Sequence, residues 1–136
     1  MKYMLDTNTC IFAINGNPSV RSRFAQEYPY GLAISAITEA ELWYGIENSA
    51  AIEKNTEVLL AFLATVETLP FDTHAASEYG RVRAGLKRAG TPIGERDTLI
   101  AAHAKSIGIS LVTNNINEFG RVKGLALEDW KATGRI

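Results

Sequence analysis

The chain has 136 residues, enough to bury one hydrophobic core and too few for two independent ones, so residues 1–136 are expected to form a single domain. Hydrophobic residues make up 46% and charged residues 21%, the balance of a chain that folds. A formal net charge of −1 excludes charge-driven coating of a polyanion, and a single cysteine, Cys10, excludes an intrachain disulfide framework and a multi-cysteine zinc site. With no basic leader, and no run of about 18 apolar residues to span a membrane, a cytoplasmic location is the expectation.

In chain order, Tyr3 to Leu5 reads as a short strand ending at Asp6, and Thr7-Asn8 can cap a helix through Cys10 to Ile14. Asn15-Gly16-Asn17-Pro18 is a turn cluster, Val20 to Tyr28 reads as helix, and Leu32 to Ser35 reads as a second strand after the breaks at Pro29 and Gly31. Thr38 opens an apolar-periodic helix with Leu42, Trp43 and Ile46. A second helix, Ile52 to Val66, carries Val58, Leu59, Phe62 and Leu63 on one face. An extended piece at Thr68 to Phe71 leads to a helix over Thr73 to Arg88, which ends before Gly90-Thr91-Pro92. Asp97 caps a helix over Thr98 to Ser106 with Leu99, Ile100 and Ala104 facing the core, and Gly108 closes it. Ile109 to Val112 and Leu125 to Leu127 are the last strands. Strands alternating with helices predict an α/β fold, with a mostly parallel sheet covered on both faces.

In open α/β sheets the functional crevice lies beyond the carboxyl ends of the strands. Asp6 and Thr113-Asn114-Asn115 follow strands directly, and Glu41 and Asp97 lie in first helical turns. Each acid has a structural alternative: Thr38-x-x-Glu41 matches a capping box, and Asp6 and Asp97 match N-caps. If the three converge, their mutual repulsion calls for a cation, and an all-oxygen donor set selects Mg²⁺ or Mn²⁺. His74 and His103 have no spacing that suits zinc.

Four motifs in order carry a family resemblance: Met4-Leu5-Asp6-Thr7-Asn8, Thr38-Glu39-Ala40-Glu41-Leu42, Gly94 to Ala102 with Asp97 inside it, and Leu111-Val112-Thr113-Asn114-Asn115. With Leu127-Glu128-Asp129-Trp130 near the end, the chain resembles PIN-domain ribonucleases of the VapC toxin family from about Met1 to Trp130. The resemblance implies a single three-layer α/β/α PIN-like domain, a Mg²⁺ (or Mn²⁺) site and endonucleolytic hydrolysis of RNA. It carries Asp6, Glu41 and Asp97 into the family's acidic positions as catalytic and metal-binding residues. The fourth position is commonly Asp and here is Asn115, with Glu118 three residues on as a candidate to return the charge. Thr7, Asn8 and Thr113 fit as groups orienting carboxylates or water.

Arg96, beside Asp97, is the candidate substrate contact. Arg81, Arg83, Lys87 and Arg88 read mainly as a solvated helix face, and Trp43 and Tyr44 read as packing more than base stacking. The resemblance also implies a VapB-type antitoxin, a homodimer and an RNA substrate, with the anticodon region of initiator tRNA first among the candidates. A structure-specific DNA nuclease and a non-catalytic interaction module are the alternatives.

Overall fold

The computed structural model describes residues 1–131. In order these form β1 (Tyr3–Leu5), α1 (Thr7–Ile14), α2 (Pro18–Glu27), a 3-10 turn (Tyr28–Tyr30), β2 (Leu32–Ser35), α3 (Ala36–Glu47) and α4 (Ile52–Leu63). They continue with β3 (Glu67–Leu69), α5 (Thr73–Arg88), α6 (Glu95–Ile107), β4 (Ser110–Val112), α7 (Ile116–Phe119) and β5 (Leu127–Glu128). The five strands pair in the order β3-β2-β1-β4-β5, all parallel, with Tyr3 opposite Leu32 on one side and Ser110 on the other.

A parallel sheet is covered on both faces, and successive side chains on its strands point to opposite sides. Leu5, Leu32, Ile34 and Val112 pack with Ala13, Val20, Leu42 and Leu59 from α1 to α4. Met4 and Leu111 pack with Val82, Leu86, Ile100 and Phe119 from α5 to α7. The result is a three-layer α/β/α sandwich. On α6, Ile100, Ala101, Ala102 and Ala104 are all fully buried, and the small alanines let the helix lie close between the sheet and α5.

Several helix starts differ from the sequence reading, and each difference bears on the site. Asp6 does cap α1, accepting the Thr9 amide at 2.8 Å, so the helix begins at Thr7 and takes Thr7 and Asn8 into its first turn. Ser35, not Thr38, caps α3: its Oγ accepts the Ile37 amide at 3.1 Å, and no Thr38–Glu41 capping box forms. α6 begins at Glu95 after Gly94, so Asp97 is its third residue and not its cap. Pro18 opens α2 ahead of Val20, where its missing N–H costs nothing. Leu99 is only half-buried, and β5 lies at Leu127–Glu128, not at Leu125 to Leu127. α7 is additional to the predicted elements.

Beyond the core, Glu128 binds β5 to its surroundings. It accepts hydrogen bonds from the Tyr3 hydroxyl (2.9 Å), the Trp130 indole (2.9 Å) and Arg23 (3.0 Å). Among the described residues no helix is long and apolar enough to cross a membrane.

Candidate active site

The strand order makes the site's location a consequence of topology. From β1 the chain steps outward to β2 and β3, then crosses back to place β4 and β5 on the other side of β1. The order therefore reverses between β1 and β4, where helices leave toward opposite faces and open a crevice at the strands' carboxyl ends. Asp6 follows β1 there, its amide donating to Val112 O at 3.0 Å, and Thr113 follows β4 with its amide on Glu128 O at 2.9 Å.

Asp6 is only 4% exposed. Burial pushes its carboxyl above the ordinary range and Glu41 adds to this, while the hydroxyls of Thr113 and Thr9 and the Thr9 amide pull the other way. Thr9 also donates its hydroxyl to Val112 O at 3.1 Å, tying α1 to β4 beneath the acid. Asp97 is raised to about 6 by burial and by the charges of Asp6, Glu118 and Glu41, against which Arg96 alone counts as a stabilising cation. Carboxylates from three other segments of the chain thus act on Asp97 at one edge of the sheet.

Glu41 faces the same edge from the middle of α3. Its Oε1 accepts the Thr7 hydroxyl at 2.5 Å, and its Oε2 pairs with Arg96 Nε at 2.9 Å. Thr7 also approaches the buried Thr38 hydroxyl at 3.4 Å. The Arg96 side chain is 72% exposed, so this ion pair is weak and easily exchanged for another anion. Asn115 offers only a neutral carbonyl oxygen where a carboxylate is common. Its amide N–H bonds Thr113 Oγ1 at 2.9 Å and its side-chain NH₂ donates to Glu118 Oε2 at 2.6 Å, which holds the Glu118 carboxylate toward Asp97. Asn8 is exposed on α1.

Among the described residues, no three His, Cys, Asp or Glu side chains stand together as a ready metal cage. With Glu41 held by Thr7 and Arg96, the acids share a field without sharing a point. The donor chemistry nevertheless suits a hard divalent cation: every donor is oxygen, and an Asp97 held near 6 by burial and by three like charges is relieved by a positive one.

The other residues singled out in the sequence fall into place around this edge. His74 is exposed, and His103 is buried with Nδ1 2.7 Å from Ser35 Oγ, far from a ligand role. Trp43 packs on the core and donates its indole N–H to Glu39 at 2.8 Å, whereas Tyr44, expected to pack, is 70% exposed. Beside Glu41 a groove of about 290 Å³ runs between α1, α3 and α4, lined by Ile11, Ile14, Ile46 and Val58. Thr9 was not singled out from the sequence, although an Asp cap predicts a bonded amide at that third position.

Residues 3–125 match the PIN domain family model. The chain is 48% identical to a tRNA(fMet)-specific endonuclease VapC from Salmonella typhimurium, covering 96% of this chain and 98% of that protein. It is 47% identical to the protein of the same name from Shigella flexneri, with the same coverage. Among solved structures, it superposes on the DNA-bound VapBC of Salmonella typhimurium with a TM-score of 0.91 at 48% identity, over 96% of this chain and 98% of that one. VapBC2 of Rickettsia felis, bound to a promoter DNA fragment, matches with a TM-score of 0.91 at 41% identity, over 96% and 99%. With its acid-lined switch point, its three layers and this likeness along nearly its whole length, the chain belongs to the VapC branch of the PIN-domain family.

Proposed function

We propose that the chain is a divalent-metal-dependent endoribonuclease, the toxin of a VapBC-type toxin–antitoxin pair, and that it hydrolyses tRNA, with the anticodon region of initiator tRNA as its target. The observation that carries this reading is the carboxylate edge, where burial, with the charges of Asp6, Glu118 and Glu41, holds Asp97 up to about 6. The names of the VapC relatives, two of them tRNA(fMet)-specific endonucleases, supply the substrate. The VapBC complexes among the structural relatives supply the antitoxin. The same reading takes residues 1–136 as one nuclease domain, active as a homodimer.

Asp6 and Asp97 are assigned to hold Mg²⁺, or Mn²⁺ by the same oxygen chemistry, with Glu41 as a further ligand, as the holder of the attacking water or as a base. Such an ion supplies charge neutralisation at phosphorus and a more acidic water. The chain's own residues prepare the site around it. Thr9 and Thr113 fix the Asp6 carboxylate, Thr7 fixes Glu41, and Asn8 at the exposed start of α1 is left to orient water or substrate. Arg96 exchanges Glu41 for a substrate phosphate. Asn115 presents Glu118, whose charge stands in for a fourth aspartate.

Purified protein incubated with Mg²⁺, total tRNA and length-matched single-stranded DNA tests the proposal, with cut ends mapped and an Asp6→Asn control run beside it. Metal-dependent tRNA scission, abolished by Asp6→Asn, is the expected result. Preferential cutting of DNA, or activity retained in a folded Asp6→Asn protein, would overturn it.

A further inference from the structure

Six cationic side chains line two depressions that flank α5, one toward the end of α6 and the turn after α7, the other toward the start of α6. Arg81, Lys105, Arg121 and Lys123 rim a depression of about 170 Å³. Arg83 and Lys87, with the carboxylate of Glu95 opposing them, line a second one of about 310 Å³ that reaches Pro92 and Thr98, and Leu86 lines both. The two meet where Arg121 Nη1 donates to Pro92 O at 3.0 Å. Glu95 and Thr98, on either side of Asp97 in the first turns of α6, line the second depression, which places it next to the turn that carries the acid.

The charge along the path is largely unspent. Arg81 and Lys105 share one carboxylate, Glu78, at 3.1 and 3.5 Å, and Arg121 and Lys123 form no ion pair among the described residues. Arg83 is held over the Tyr79 ring, with its guanidinium 3.0 Å from the hydroxyl. Lys105 lies across Gly124, whose φ of +79° suits glycine and where a Cβ would meet Lys105 Cε at 3.3 Å, so the backbone itself makes room for the cation. In a chain of net charge −1, four cations around one depression are a matter of placement and not of composition.

We infer that this face is a track for the sugar-phosphate backbone of RNA flanking the scissile bond, with Arg81, Lys105, Arg121 and Lys123 contacting phosphates beyond the cut. A shallow, small-floored path with repeated positive charge fits a repeating anion; it offers no deep pocket in which an apolar side chain could anchor. The track deepens the RNA-cleaving reading and rests on it. It also answers how a molecule with no net positive charge engages a polyanion: attraction is local and leads to the site.

The test reads binding, not cleavage. Full-length Asp97→Asn protein and the same protein carrying Lys105→Gln with Lys123→Gln are titrated with a tRNA transcript across KCl concentrations, with melting curves confirming that both fold. Removing two phosphate contacts is expected to weaken binding about tenfold at 0.1 M KCl and to flatten the slope of log affinity against log salt by about 1.4, the single-strand value for two charges. Lys105→Arg with Lys123→Arg is expected to restore both. Unchanged affinity and slope in the Gln pair, or displacement of the RNA by poly-glutamate at matched charge, would overturn the track. If the unsubstituted protein cuts no RNA while this salt-dependent binding stands, the nuclease reading fails and the track does not.

Discussion

At Asp97 the balance of forces is visible in one carboxyl group. Burial and then three neighbouring acids raise it, and one exposed arginine opposes them, so ionising it in the folded protein is costly. Its folded pKa of about 6 exceeds the ordinary 3.8, which means that its contribution to stability is complete below the lower value and is lost as pH rises through the higher one. Asp97→Asn is therefore expected to raise stability at pH 7.5 by about 1 kcal/mol, a value discounted for the group's partial exposure, and to change little at pH 3.5. Paired thermal melts at the two pH values check this, and a destabilised mutant at pH 7.5 would contradict it. The same substitution abolishes cleavage under the proposed mechanism, so stability and activity move in opposite directions at this position. Glu118→Gln acts more gently. It removes one of the three charges on Asp97 and is expected to lower Mg²⁺ affinity about tenfold, measured by calorimetry, while leaving the fold intact.

Among the elements, the strands and long helices were legible in the sequence because their signals are local. Tyr3–Leu5, Leu32–Ser35 and Thr73–Arg88 lie where apolar runs, periodicity and breakers put them. Helix starts were less legible. Ser35 and Gly94 precede α3 and α6, and the acids that resembled caps, Glu41 and Asp97, sit inside those helices and face the sheet edge. A sequence shows that a polar residue suits a cap; it does not show which of two neighbours makes the bond. Tyr44 was misjudged for a related reason, since periodicity defines a stripe and the partners decide how wide the stripe must be. β5 is the shortest strand, and the side-chain bonds of Glu128 add to the backbone bonds that Leu111 and Thr113 make to it. Burial would raise the Glu128 carboxyl, but the Trp130 and Tyr3 hydrogen bonds and the charge of Arg23 outweigh it and hold the group below its ordinary range. Its stabilising effect is present above the unfolded pKa and is lost as acid protonates it. Glu128→Gln is expected to cost about 1 kcal/mol at pH 7, seen as a lower Tm, with the difference vanishing in strong acid.

For the whole molecule, the acidic edge makes stability depend on cations. An ion that binds the folded chain alone stabilises it by mass action, by about 2.7 kcal/mol at one hundred times its Kd. Melting in Mg²⁺ against EDTA is expected to show that rise in the parent and little of it in Asp6→Asn, whereas an equal rise in both would place the binding elsewhere. The strand order carries a different consequence, one of timing. β1 is synthesised before the other four strands, yet it lies between β2 and β4, with Tyr3 opposite Ser110 over a hundred residues on. Pairings so distant in sequence close late, because the entropy of a long loop must be met before the contacts reward it. Asp6 therefore leaves the ribosome long before the crevice around it exists. A nascent chain with this topology has no assembled edge with which to attack nearby RNA, and the translation machinery that makes the nuclease is shielded from it until β4 has been released and has found its place beside β1.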